Sequence, residues 1–328
     1  MQQAWYWSKA AMNSAHEMIA PATGTQGGDG LLVSLRSAVE THGNKCFLVV
    51  DPSLRALEDN RAEGALFSQP KRASVPVGHD AFAPEHWPCL IELDLSTATG
   101  TALLAESVRA ALADRLPESL ARGQGQRTGG WLVGADSLQD VVDHWSTSLV
   151  QFDNLGRRCL LRFYDARVLA LMWPALSPVQ RRRLLGPVQT WYALDACAEL
   201  VTYTAPGRSQ SDLEIEDAQW IEFHRHGIIN RALALFMNDA GRQPTQQEVQ
   251  AAVDSAGRAE QYGLRDHEDK IAFVGHSLAW HSSFDAHPAM RSVLEEVSRG
   301  AMYGAAVSEL DSRVVEEIRR GTWFKSHH

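Results

Sequence analysis

The chain has 328 residues, of which 45% are hydrophobic and 22% charged, and carries a formal net charge of -9. A chain of that length buries roughly 75% of its unfolded surface, as one large domain or two smaller ones, without help from disulfides. The acidic balance excludes the clustered basic surface that wraps a phosphate backbone, so no nucleic acid partner is expected.

The first residues, MQQAWYWSKAAMNSAHEMIA, lack a basic start followed by an unbroken apolar stretch. Nowhere does an apolar run of about eighteen residues occur, so neither a signal peptide nor a membrane partner is expected. Cys46, Cys89, Cys159 and Cys197 are scattered among apolar neighbours with no Cys-x-x-Cys spacing, the pattern of reduced core residues. A cytoplasmic protein follows.

Along the chain, residues 1–29 form an N-terminal segment whose Gly- and Thr-rich end, Pro21 to Gly30, reads as a surface connection. Gly27, Gly28 and Gly30 precede a helix but lack the upstream strand of a dinucleotide fold, so no cofactor is expected. Residues 30–205 then alternate short apolar runs with helix-period segments, the pattern of an α/β lobe built on a mixed sheet with flanking helices. The strand candidates are Cys46–Val50, Cys89–Leu93, Trp131–Val133, Cys159–Phe163 and Glu199–Tyr203. Between them, Thr101–Leu116 places Leu104, Val108, Ala111 and Leu112 on one helical face. Asp136 with Gln139 offers a capping box for a helix carrying Val141, Val142, Trp145 and Leu149. Arg122 to Gly130, with four glycines and little that is apolar, reads as a second surface loop.

The break at 206–212, inside APGRSQSD, marks the boundary to an all-α lobe over 213–328. Its helix starts are signalled by Asp217, by Thr245 with Glu248, by Asp266 and by Pro288. One last amphipathic helix is expected through Tyr303, Val307, Leu310, Val314 and Ile318. The closing pair, His327 and His328, is uninformative.

Chemistry-bearing side chains concentrate between Leu160 and Trp191. Arg162, Tyr164, Asp165 and Arg167 sit at a strand-to-helix junction, and Ser177, Pro178 and Gln180 open a short helix closed by Gly186 and Pro187. Arg162 with Asp165 reads first as a structural pair pinning a strand end to the next helix. Arg181, Arg182 and Arg183 read as a solvated face. Trp87, Trp131 and Trp173 suit either a thick core or the aromatic anchors of an interface.

Elsewhere, VGHSLA at 274–279 has the outline of a nucleophile elbow with Ser277 as nucleophile, but Ala279 stands where close packing needs Gly, and too little chain remains to deliver an acid and a His. His224 and His226, two apart on a helix, point away from each other and could not share an ion, so no metal is expected. Glu214 with Glu216 and Glu295 with Glu296 lie in charged, exposed-looking stretches.

LLRFYDARVL followed by MWPALSPVQRRRLLGPVQTW resembles the signature stretch of the effector adaptor, or chaperone, family of bacterial type VI secretion systems. LVVDPSL at 48–54, ALFSQP at 65–70, WPCLIEL at 87–93 and GGWLVGADSLQDVVDHW at 129–145 are similar to that family's successive blocks. The resemblance spans roughly residues 30–205. It implies a cytoplasmic, non-enzymatic adaptor that holds a secreted effector and helps load it onto the valine-glycine-repeat spike protein. Ala166 departs from the Pro often found after the Asp, which bears on cargo choice alone. On this reading the partner-binding residues are Tyr164, Arg167, Trp173 and Trp191. The competing readings are a serine hydrolase using Ser277 and a structural component of the secretion baseplate.

Overall fold

The computed structural model describes residues 24–53, 71–121, 126–207 and 212–325. The ALFSQP block, His327 and His328, residues 1–23 of the N-terminal segment, 122–125 of the Gly-rich loop and 208–211 of the linker lie outside the described residues.

The sheet is organised around β1 (Lys45–Val50), KCFLVV, which is buried at every position but the first. Alternation along an extended chain sends Phe47 and Val49 to one face and Cys46, Leu48 and Val50 to the other, so a continuous apolar run feeds two cores at once. Around it lie β2 (Arg72–Ser74), β3 (Cys89–Asp94), β4 (Thr128–Val133), β7 (Thr190–Leu194) and β8 (Leu200–Thr204), in the order β2-β3-β1-β4-β7-β8. Every ladder in this six-stranded sheet is antiparallel. A separate hairpin joins β5 (Val150–Phe152) to β6 (Arg158–Leu160). The expected strand over Cys159–Phe163 therefore splits: its start belongs to this hairpin and its end runs free toward the next helix.

Helices cover both faces. On one, α1 (Gly24–Thr41) and α2 (Ala98–Ala113) bury Leu35, Val39, Leu104, Val108 and Ala111. The glycines of Pro21–Gly30 from Gly24 onward are thus helical and not a loop, because the apolar stripe that follows them docks on the sheet. A short α3 (Pro117–Ala121) follows. On the other face, α4 (Leu138–Ser148), α5 (Ala166–Met172) and α6 (Pro178–Leu185) bury Val141, Trp145, Leu169, Met172, Leu184 and Leu185. The cap of α4 is Ser137, whose hydroxyl accepts from Asp140 N, one residue later than the Asp136 expectation.

The second lobe begins inside the first. Leu213 and the aromatic rings of α7 (Asp217–Phe223), Trp220 and Phe223, lie in the same core as Trp145 and Leu169. The packing boundary therefore falls after α7. Beyond it, α8 (His226–Ala240), α9 (Gln246–Gln261) and α10 (His267–Ala279) share a core that also takes in Ala196 and Leu171 from the first lobe. A further core links α10 to α11 (Pro288–Ser298), α12 (Tyr303–Ser308) and α13 (Ser312–Arg320), with α14 (Thr322–Lys325) at the end. The single helix expected through Tyr303–Ile318 is two, because Asp311 turns its carboxylate onto Arg313 N and starts a new helix.

The Gly-rich stretch that runs into β4 departs from the sequence reading as well. Gly129 and Gly130 are buried strand residues at an irregular register, Val49 facing Gly130 while Val50 faces Thr128. Gly130 has φ +122°, and a Cβ there would collide with the Tyr192 carbonyl and press on the Trp191 indole nitrogen at 2.7 Å. Gly130→Ala is expected to lower stability by about 3 kcal/mol. Gly241→Ala, at a helix end with φ +65° and open space around it, is expected to cost about 1 kcal/mol. Urea midpoints of the two variants check the contrast.

Candidate functional site

Asp165 caps α5 from the N-terminal side, its carboxylate accepting from Arg167 N at 3.0 Å. The same carboxylate receives both arms of the Arg167 side chain, Nε at 3.0 Å and a terminal nitrogen at 2.7 Å. Arg162, three residues before Asp165 in an extended segment, reaches across to the end of β1 and donates to Asp51 at 2.6 Å and Ser53 Oγ at 3.1 Å. The expected Arg162–Asp165 pair exists only at 3.9 Å. The tight partners are Asp51 and Arg167. Burial alone would raise the Asp165 carboxyl, but Arg167 and then Arg162 hold it below the usual carboxylate range. Burial opposes the Arg162 charge and the nearby Asp51 outweighs it, so that guanidinium is held more firmly protonated.

Behind this cluster sits Arg115, 3% exposed, donating to Gln126 Oε1 and to the Asp195 carbonyl. Among the described residues no carboxylate bonds it directly, and burial with Arg167 nearby brings its pKa down to about 10. Asp195 in turn accepts from Gln246 of α9 at 2.6 Å, while Gln243 donates to the Arg115 carbonyl. Next to it Arg127 and Asp114 form a fully buried pair at 3.1 Å. The result is a polar seam running from the end of β1 to the second lobe.

Of the four expected anchors, Tyr164 and Trp191 are 0% exposed. Trp191 packs on Trp145 at 5.0 Å and donates its indole N–H to the Gly129 carbonyl. A partner cannot touch a side chain with no surface, so these two are scaffold: alternation along β7 turns Trp191 inward, and Tyr164 lies under the α5 cap. Arg167 is one-fifth exposed and committed to Asp165. Trp173 is half-buried against Tyr203, with the Arg181 guanidinium 5.4 Å from its ring. The arginine triplet is not a solvated face. Arg182 is buried and donates to the carbonyls of Ala205 and Val188, because α6 must tie down both ends of the chain that crosses it. Gln180 completes the capping box with Ser177 and also bonds Glu214 O and Gln219.

Ser277 lies within α10, 3% exposed, with its hydroxyl 2.8 Å from Val274 O and 2.9 Å from Ser255 Oγ. That is a helix interior and not a strained strand-to-helix turn. The neighbouring His276 bonds Tyr303 Oη at 2.7 Å and stacks on Trp280. His224 and His226 lie on either side of a break between α7 and α8, not on one helix. Among the described residues no group of three His, Cys, Asp or Glu side chains is placed to hold a metal ion. Glu214, Glu216, Glu295 and Glu296 are exposed. Cys46 and Cys89 are buried, with burial raising the thiols to about 12 and about 11, whereas Cys159 and Cys197 are half-buried.

One feature of the surface was not anticipated from the sequence. The β5–β6 hairpin exposes Phe152 at 65% and Leu155 at 70%. Its tip is fixed by Asp153, whose carboxylate accepts from Leu155 N, Arg157 N and Arg157 Nε at 2.7 to 3.0 Å. These bonds, Arg157 foremost, overcome the upward push of burial and bring the Asp153 carboxyl down to about 2. The DNLG sequence at 153–156 is a turn signal that would have located it.

Residues 46–183 match a family model described as Domain of unknown function (DUF4123). The match takes in β1 through α6, the Asp165 cap and the hairpin, and covers under half of the chain. Neither curated proteins nor solved structures give a significant match. Among the described residues no helix is long and apolar enough to cross a membrane.

Arg167→Glu places a second negative charge on the Asp165 carboxylate and is expected to cost about 3 kcal/mol or more, seen as a lowered melting temperature. Asp165 has a depressed pKa, so its contribution is complete above the unfolded carboxylate pKa of about 3.9. It is lost as pH falls through the lower folded value. Asp165→Asn should therefore flatten the acid limb of a stability-versus-pH curve. A fluorophosphonate probe is expected to give no Ser277-dependent label, and Ser277→Ala to cost about 1 kcal/mol.

Proposed function

We propose that this protein is a cytoplasmic adaptor that binds a type VI secretion effector and helps load it onto the valine-glycine-repeat spike, working by surface complementarity and not by covalent chemistry. The observation that carries the reading is the hairpin tip: two large apolar side chains held out to solvent on a turn that Asp153 has already ordered. Anchors of this kind bind well because little conformational freedom remains to be lost on docking. The hairpin lies within the residues that resemble the adaptor family and within those that match the domain model, which adds support. Half-exposed Trp173 with its stacked Arg181 supplies a further aromatic contact on the same lobe.

When co-expressed with a type VI secretion effector that it serves, the protein is expected to elute with that effector as one complex at micromolar concentration. Two separate peaks would remove the main support for the reading. Replacing Phe152 by Ser and Leu155 by Asp together should weaken the complex by roughly 30-fold or more while leaving the melting temperature unchanged, as fits side chains that touch little of the fold.

A further inference from the structure

Between α5 and α7, which pack in the first core, and helices α8 and α9 of the second lies an open cleft of about 260 Å³. Its lining is apolar where Leu171, Ile229 and Val253 meet, and polar where Glu222, Arg225, His226 and Asp254 approach. The volume is below the roughly 300–1,000 Å³ of sites for drug-sized ligands and suits one long side chain.

Charge in the cleft is unevenly committed. Arg225 is held by Glu260 at 2.6 Å, and Lys270 shares that carboxylate at 3.4 Å. Glu222 and Asp254 stand exposed at the rim with no ion-pair partner among the described residues, Asp254 accepting only from the Gln250 amide at 2.8 Å. His226 is 7% exposed, yet its ring makes no hydrogen bond among the described residues; its aromatic neighbour is Phe223 at 5.2 Å. Burial brings its pKa down to about 4. At neutral pH the ring is therefore uncharged, and one nitrogen offers a lone pair. Its ring nitrogens are not fully enclosed, so they are open to a hydrogen-bond partner that enters the cleft.

Three features favour one kind of occupant: an imidazole able to accept an N–H, two rim carboxylates that attract positive charge, and an apolar wall of Leu171, Ile229 and Val253 that packs a stem. An anion fails on the second count. A basic side chain meets all three, with its methylenes along the wall and its head at the rim, and arginine brings the most donors. We propose that this cleft receives an arginine or lysine side chain from a docking protein. The identity of that protein as cargo rests on the adaptor reading; the chemistry of the cleft does not.

Titrating the full chain with N-acetyl-arginine methylamide, to about 20 mM, while following the His226 ring by NMR tests this directly. His226→Gln assigns the signal among the thirteen histidines. The expected result is a saturable His226 shift with the arginine compound and none with N-acetyl-glutamate methylamide. A Glu222→Gln, Asp254→Asn double variant should bind roughly fivefold more weakly with an unchanged melting temperature. A silent His226 signal, an equal response to the acidic compound, or equal affinity in the double variant would overturn the proposal. No effector is present in the titration, so it succeeds or fails separately from the co-elution experiment.

Discussion

The arrangement depends on one buried carboxylate set between two guanidinium groups. Asp165 starts α5, fixes Arg167 against the second lobe and lies within reach of Arg162, which is anchored on Asp51 at the end of the central strand. Each of these charges gives up hydration, and burial of such a pair contributes little net stability compared with well-packed apolar groups. What the pairing does contribute is position. A strand end, a helix start and the seam of the second lobe are held in one register, and removing Arg167 leaves the enclosed Asp165 carboxylate without its tight partner.

This explains why the part of the chain richest in reactive-looking side chains presents so little of them. Arg182 and Gln180 spend their donors on the chain that crosses α6, and Trp191 closes an aromatic cluster with Trp145 and Phe163. Their chemistry is directed inward because backbone carbonyls at irregular crossings need donors that no sheet or helix supplies. What faces solvent comes from other elements: the hairpin tip with its two apolar side chains, and the cleft where α5 meets α7 to α9. On the proposed reading, partner recognition and scaffold integrity are carried by different residues.

Much of the architecture was legible because it rests on local signals. Apolar runs at 46–50 and 89–93 marked β1 and β3, and the boxes at Ser177–Gln180 and Thr245–Glu248 marked helix starts whose caps are formed as expected. The misreadings share one cause, tertiary partners that spacing cannot show. Gly129 and Gly130 looked like a surface loop because composition hides a buried, bulged strand. The arginine triplet looked solvated because its acceptors, Ala205 O and Val188 O, are distant in sequence or come from irregular backbone. Arg115 and Asp195 went unnoticed for the same reason, being eighty positions apart along the chain. Tyr164 and Trp191 were assigned to the surface because an aromatic residue's type does not report which way its strand or turn faces.

The location of α7 has a consequence for biogenesis. Proteins made from the N-terminus generally complete one domain before the next emerges. Here the α/β layer lacks Leu213, Trp220 and Phe223 until the ribosome has moved past the end of α7. Until then that core is short of one leucine and two aromatic side chains. The nascent sheet therefore waits for a piece of its neighbour, and maturation of the two lobes is coupled from the start of synthesis.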